Sequence, residues 1–336
     1  MRSIIVTGGL GFIGSNLINF LEKKKYFIIN IDKVSYSSNF NNINKNIKNY
    51  KHYRLNIGDK NKISKLILKY NPITIFNLAA ETHVDRSIDS PEDFIRSNIV
   101  GTFGLLEAIR ESKNRNLKLV HISTDEVYGD IKNSSNSKET DPYKPRSPYS
   151  ASKASSDHLV KSYYETYGLK SIITKCCNNF GPNQYPEKLI PTIIYNIVKN
   201  KPIPVYGNGN NIREWIYVED HCEALYKISK KNFYGENFNI GSSNIFTNLE
   251  IVKKIINFFT KKKLLKSNIK INYVKDRPGH DFKYSLNSNK IKNNLNWECR
   301  YDFNEGLEKT ILWYIDKFNT KHFKNKNFIK RQGLSK

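Results

Sequence analysis

Four of the 336 residues are cysteine and one is methionine. Cys176, Cys177, Cys222 and Cys299 form no C-x-x-C pair and no metal-ligand spacing, so neither a zinc ribbon nor a disulfide framework is expected, only four free thiols. No apolar run approaches the ~20 residues that cross a bilayer, and no membrane partner is expected. The first residues, Met1-Arg2-Ser3-Ile4-Ile5-Val6, run straight into a strand-like segment without the apolar core of a signal peptide, and the expected location is cytoplasmic. Acid is the scarcer charge: 31 Asp and Glu stand against 55 Lys and Arg, a formal net charge of +24. Such an excess can serve nucleic acid. Here it is spread along the chain in Asn- and Lys-rich stretches such as residues 39–46, with no nucleic-acid-binding motif, so it reads as a solvated surface. From His322 to Lys336 there is no acid at all, and residues 331–336 are set apart as a basic tail.

The chain is 38% hydrophobic and 26% charged, a globular composition long enough for about two domains. Short apolar runs at Ser3–Thr7, Phe27–Ile31, Ile73–Ala79 and Lys118–Ser123 read as strands. Helical periodicity covers Phe12–Lys24, the neighbourhood of Ile63–Lys69, and Ser97–Ser112. Buried strands separated by helices predict α/β architecture with a doubly wound parallel sheet, whose ligands sit beyond the carboxyl ends of the strands. Prolines 182, 186, 191, 202 and 204 mark a less regular second part, expected to be a smaller α+β substrate-binding lobe. The expected division is 1–177 for the sheet domain, with about 214–250 returning to it, and 178–330 mainly for the lobe.

Between the first strand and the first helix lies Thr7-Gly8-Gly9-Leu10-Gly11-Phe12-Ile13-Gly14. Glycine at 8, 11 and 14 permits a tight turn, close approach of backbone to a pyrophosphate and close packing of helix on strand. The pyrophosphate would rest on the helix N-terminus at Phe12 and Ile13, the arrangement of a Rossmann dinucleotide site. Asp32 ends the next strand, where a carboxylate accepts both ribose hydroxyls and repels a 2′-phosphate; NAD is therefore expected rather than NADP, with Lys33 adjacent. Further along, Tyr149-Ser150-Ala151-Ser152-Lys153 puts a phenol and an ammonium one helical turn apart on one face. The ammonium, with a cationic nicotinamide ring, would lower the ~10 pKa of the phenol and make Tyr149 a base for an alcohol losing hydride.

The chain resembles the extended short-chain dehydrogenase/reductase superfamily that acts on nucleotide sugars. Its Ser123-Thr124-Asp125-Glu126-Val127-Tyr128-Gly129 is similar to the nucleoside-diphosphate-glucose 4,6-dehydratases, which carry an Asp-Glu pair where epimerases and sugar-acid decarboxylases do not. The resemblance implies catalytic roles for Thr124, Asp125, Glu126, Tyr149 and Lys153. Two neighbouring carboxyls with opposite tasks need separated pKa values. It implies cofactor contacts from Leu78, Ala79 and Ala80, and hexose contacts from Glu81 and Thr82. Asn98 stands behind the site as support, and Asn56-Ile57 lies near the adenine, with Asn where relatives usually have Asp. For the nucleotide sugar, dTDP- or UDP-glucose, it implies Asn178, Lys188, Leu189, Pro204, Tyr206 stacked on the base, Arg213 and Arg277 on the diphosphate, and Tyr284. It also implies a homodimer whose helix bundle includes the helix of Tyr149.

Overall fold

The computed structural model describes residues 1–112, 114–131, 135–265 and 267–319; the basic tail lies outside them. In its first part strands alternate with helices: β1 (Ser3–Thr7), α1 (Phe12–Glu22), β2 (Phe27–Asp32), β3 (Tyr50–Arg54), α2 (Lys60–Tyr70) and β4 (Thr74–Asn77). Two short helices, α3 (Val84–Asp89) and α4 (Pro91–Phe94), lead through a π turn at Ile95–Val100 into α5 (Gly101–Glu111). Then come β5 (Lys118–Thr124), a 3₁₀ turn at Asp125–Tyr128, α6 (Pro148–Tyr167) and β6 (Ser171–Cys176). The remainder runs β7 (Asn178–Phe180), α7 (Leu189–Val198), β8 (Ile203–Tyr206), β9 (Ile212–Tyr217), α8 (Val218–Ser229), β10 (Asn237–Ile240), β11 (Ile245–Thr247), α9 (Asn248–Lys261), β12 (Ile271–Val274), α10 (Asn289–Leu295) and α11 (Phe303–Asn319).

Seven strands form one parallel sheet in the order β10-β6-β5-β4-β1-β2-β3. The order reverses at β1, the doubly wound pattern. Residues of β1, β4, β5 and β6 are buried throughout, because helices cover both faces and no side of a strand meets water. Leu17, Ile18 and Leu21 of α1 pack with Leu225 and Ile228 of α8 in one core. Leu66 and Ile67 of α2, Leu105 and Ile109 of α5 and Val160 of α6 fill another. A third core joins α7, α9 and α11 to Phe180, Trp215 and Tyr217, beside the three-stranded sheet β11-β9-β7 and the parallel pair β12-β8.

Several elements differ from expectation for local reasons. The sequence Tyr50-Lys51-His52-Tyr53-Arg54 shows no apolar run, yet forms β3, since an edge strand is paired on one side only and tolerates polar residues. Strand β4 stops at Asn77, leaving Leu78, Ala79 and Ala80 as a loop along the sheet edge. The expected helix from Ser97 opens as the π turn, a distortion common at functional sites. Asn98 is buried there, accepting from the Glu81 amide (2.8 Å) and donating to the Glu81 carbonyl (3.0 Å) and Ser152 Oγ (2.9 Å). It thereby ties the loop after β4 to α6. Among the described residues no helix is long and apolar enough to cross a membrane.

Candidate active site

Parallel register places Thr7, Asn77, Thr124 and Cys176 along the carboxyl edge of the sheet. A cleft opens there, lined from the glycine turn at one end to Tyr149 and Lys153 of α6 at the other. Its floor begins at the glycine turn. Gly8 is left-handed (φ +67°) with the Ala79 backbone 2.9 Å from where a Cβ would stand, and a Cβ on Gly14 would strike the Gly8 carbonyl. Both must be glycine for the turn and α1 to pack. Gly11 caps α1 without any side-chain hydrogen bond, and the first turn carries no acid, so its amides and dipole remain available to an anion. A Cβ on Gly11 would meet only the Gly8 carbonyl, at 3.3 Å, and otherwise project into open space. These features fit a dinucleotide.

Asp32 lines the cleft and already accepts from the Leu10 amide (3.0 Å), the Val34 amide (2.8 Å) and Ser38 Oγ (2.9 Å). It therefore shapes the loop after β2 as well as facing the ribose position. Lys33 turns from it to Glu81 (2.7 Å) and Ser97 Oγ (3.3 Å). The Lys33 ammonium is matched by a carboxylate, and the electrostatic preference against a 2′-phosphate is retained. Glu81 thus pairs with Lys33, while Thr82 lines the cleft. Asn56 folds back on the Gly58 amide (2.9 Å), and Ile57 lies beside it at the same end.

At the other end α6 begins at a capping box formed by Ser147 and Ser150, with Pro148 in its first turn. This places Tyr149 at the positive end of the helix, its ring edge-on to Phe94 with centroids 6.2 Å apart. Lys153 follows one turn later, and its Nζ donates to the Ile122 carbonyl (2.8 Å). The expected lowering of the phenol pKa by Lys153 is not what the protein alone does. Burial and the charge of Glu126 push Tyr149 well above its ordinary value, against the Thr124 hydroxyl, which favours the phenolate. Lys153 is held by the main chain of β5 instead of the phenol.

The 3₁₀ turn after β5 aims Asp125 and Glu126 into the same cleft. Thr124 Oγ1 donates to Asp125 Oδ1 (3.2 Å) and accepts from the Glu126 amide (3.3 Å). Asp125 Oδ2 is buried with no hydrogen-bond partner among the described residues. Both carboxyls are raised by burial, but unequally. Glu126 and Glu214 push Asp125 well above the usual range, whereas Arg277, Arg213 and Lys188 oppose the rise at Glu126. Asp125 is accordingly the group that keeps its proton and Glu126 the one that gives it up. Because the folded-state pKa of Asp125 is raised, its contribution to stability is present below the unfolded pKa of ~4 and lost as pH rises through the folded value. Asp125→Asn should therefore unfold with wild type near pH 4 and later than wild type at pH 8. The gain should be about 1–2 °C per kcal/mol recovered in a chain of this length; equal midpoints at both pH values would disprove the raised pKa.

A second group lies past Glu126, outside the cleft lining: Arg213, Arg277, Tyr206 and Tyr284. Tyr206 donates to Asp85 Oδ2 (2.7 Å) and Arg277 Nη1 to Asp85 Oδ1 (3.2 Å). Arg213 stacks on Tyr284, 4.4 Å from its ring centroid, and donates to the Asp281 carbonyl (3.0 Å). Arg277 Nε is buried without a partner among the described residues. Lys188 Nζ reaches the Thr82 carbonyl (3.0 Å), Leu189 opens α7, Asn178 opens β7 and Pro204 sits in β8. Asp85 carries no local signal in the sequence; only the fold shows it anchoring two partners. The same holds for Tyr36, Glu187 and Arg86. Tyr36 donates to Glu187 (2.8 Å), and Arg86 bonds Glu187 (3.3 Å) while covering the Tyr36 ring at 3.8 Å, bridging the cleft's two lips.

Comparison with known proteins agrees with this arrangement. The family model described as GDP-mannose 4,6 dehydratase matches residues 5–310. The chain belongs to that family. Among its curated relatives a dTDP-glucose 4,6-dehydratase of Haemophilus influenzae is 46% identical over 332 residues, covering 94% of this chain and 98% of the relative. The dTDP-glucose 4,6-dehydratase of Bacillus anthracis, solved in complex with NAD, superposes with a TM-score of 0.86 at 41% identity, covering 94% and 97% of the two chains. A UDP-glucose 4-epimerase of Thermotoga maritima, solved with UDP-glucose, superposes equally well (TM-score 0.86) at 27% identity, covering 94% and 99%. Dehydratase-family architecture alone therefore does not separate the two chemistries, and the side chains in the cleft must.

Proposed function

We infer that this chain is an NAD-dependent dehydratase that converts dTDP-glucose to the dTDP-linked 4-keto-6-deoxy sugar. The observation that carries the reading is the carboxyl pair Asp125 and Glu126 in one cleft with Thr124, Tyr149 and Lys153. An epimerase has no water to eliminate and no use for two carboxyls of different proton affinity. Bound NAD⁺ supplies a hydride acceptor for carbon 4, a positive charge beside Tyr149, and the same hydride again at carbon 6.

The chain's own residues supply the protons. Tyr149 accepts the proton of the 4-hydroxyl, steadied by the Thr124 hydroxyl and the α6 N-terminus. Oxidation at carbon 4 acidifies the hydrogen on carbon 5, which Glu126 removes. Asp125 gives its proton to the departing 6-hydroxyl, which leaves as water. Glu126 then returns a proton to carbon 5, and the proton that Tyr149 took from the 4-hydroxyl replaces the one Asp125 gave to water, which restores both groups for the next turnover. The unpartnered Arg277 Nε and the Arg213 guanidinium suit the diphosphate, since a planar fork matches phosphate oxygens. Tyr206 offers a ring to the base, and Lys188, Leu189, Pro204, Asn178 and Tyr284 complete the nucleotide-sugar side. Residues 1–177 with about 214–250 serve NAD in this scheme, and 178–330 mainly the sugar nucleotide.

We also propose a homodimer built on α6 and its neighbours, supported by exposed Ile95, Val100 and Phe103 beside that helix. The buried free thiols Cys176, Cys177 and Cys222 suit a reducing, cytoplasmic compartment. Incubation with dTDP-glucose and UDP-glucose separately tests the function, read by the alkali-induced absorbance of a 4-keto-6-deoxy product. Turnover of dTDP-glucose is expected, from a particle of twice the chain mass in light scattering. Absence of product from both sugars would refute the activity, and a monomer the dimer.

A further inference from the structure

Behind the cleft, α6 and the two central strands enclose charges that the reaction scheme does not use. Asp157 lies one helical turn beyond Lys153 on the same face of α6 and is 1% exposed. From β5, Ser123 Oγ donates to Asp157 Oδ2 (2.8 Å), and His121 Nε2 stands 3.4 Å from Oδ1. From the loop before α6, Tyr143 donates to Oδ2 (3.0 Å). From β6, Lys175 faces it, fully buried, with no hydrogen-bond partner for its Nζ among the described residues. That ammonium is held between the rings of Tyr128 and Tyr143, 5.3 and 5.2 Å from their centroids. Asp157 Oδ1 has no hydrogen bond among the described residues.

The protonation of His121 can be derived. Asn77 Oδ1 accepts from Thr7 Oγ1 (2.7 Å), so its Nδ2 donates to His121 Nδ1 (3.1 Å). The imidazole proton is then on Nε2, which donates to Ser156 Oγ (3.2 Å) and lies near Asp157, and burial with the Lys153 charge keeps the ring neutral. Asp157 is held ionised by His121 and by the charges of Lys175 and Lys153. One carboxylate thus serves two buried ammoniums, of which Lys153 lines the cleft and Lys175 does not. Glu139 supports the charge of Lys175 and Lys290 opposes it, while Cys176 faces Lys153.

We propose that Asp157 is a positioning residue for the dehydration: its carboxylate keeps the Lys153 ammonium charged beneath Tyr149, and Lys175 competes for that carboxylate. Burying an ammonium without a counter-charge is costly, and such a group releases its proton instead. Lys153 has its main-chain acceptor at Ile122, but a carbonyl carries no charge. Among the described residues Asp157 is the one carboxylate that acts on it. Lys175 meets the same burial, which lowers it to about 8.

The proposal rests on the dehydratase reading, and two variants of the NAD-loaded full chain test it. Asp157→Asn preserves shape and removes the charge; Lys175→Met removes the competitor. With Asp157→Asn the alkaline limb of the kcat–pH profile should move to lower pH by about one unit or more with KM unchanged, because Lys153 discharges earlier. With Lys175→Met the limb should move to higher pH. Thermal midpoints between pH 7 and 9 give a readout independent of turnover. A buried lysine of lowered pKa makes stability rise with pH above its folded value. That rise should start at lower pH in Asp157→Asn and be flattened in Lys175→Met. Should either variant fail to fold, the other still has a signed outcome. Uniform loss of rate at every pH together with wild-type midpoint slopes would make Asp157 a packing residue and overturn the proposal. A wild type that does not dehydrate the sugar would refute the dehydratase reading alone, since the midpoint slopes still test the charge coupling.

Discussion

Glu126→Gln should yield a protein that oxidises the sugar and then stalls, its nicotinamide reduced and no water released. Glutamine matches the shape of Glu126 and can still face Arg277, Arg213 and Lys188, but it cannot accept the carbon-5 proton. Those three cations are what oppose the burial of Glu126 and let it ionise, so the native site spends positive charge on making this carboxylate a base. Losing a positioned proton acceptor costs about 10²–10⁴ in rate. The fall should appear in kcat for the keto-deoxy product, while the absorbance of reduced nicotinamide appears in a single turnover at close to the wild-type rate. That rate should rise slightly, because burial and the Glu126 charge hold the Tyr149 proton in place and the variant removes that charge. Wild-type dehydration by the variant would remove Glu126 from the scheme and leave the C5 proton without an acceptor.

How much of this was legible in the sequence depended on the distance along the chain over which each feature is decided. The glycine turn, Asp32 at the end of β2, the Thr124–Glu126 run and the Tyr149/Lys153 spacing are local patterns, each fixed by one strand end or one helical turn. They were readable, as were the doubly wound sheet and its main strands. Strand β3 was not, because its polar residues make sense only against β2. Asp85 was not, because its partners Tyr206 and Arg277 lie 121 and 192 residues away. Nor was the pairing of Lys33 with Glu81, which lie 48 residues apart. The same limit applied to Lys153: its spacing from Tyr149 could be counted, but its bond to the Ile122 carbonyl depends on how α6 lies across β5. Only the family resemblance points to Arg213, Arg277 and Tyr284, whose proposed roles no local pattern contains.

Tyr149→Phe should abolish the reaction one step earlier than Glu126→Gln. Without the phenol oxygen no other side chain among the described residues of the cleft stands ready to take the 4-hydroxyl proton: the Lys153 ammonium donates to Ile122, and the Thr124 hydroxyl is too weak a base. Glu126 is needed for the later proton on carbon 5. A fall in kcat of about 10²–10⁴ is expected, with no burst of reduced nicotinamide, which distinguishes this variant from Glu126→Gln. The edge-on contact with Phe94 uses the ring and survives the change, so the thermal midpoint should hold or rise, a buried hydroxyl having been removed. Binding of dTDP-glucose should persist, since the arginines proposed for the diphosphate lie on the far side of Glu126. Reduced nicotinamide appearing at the wild-type rate in Tyr149→Phe would show that another base starts the reaction. The steps assigned to the carboxyl pair would then need a different donor at their head.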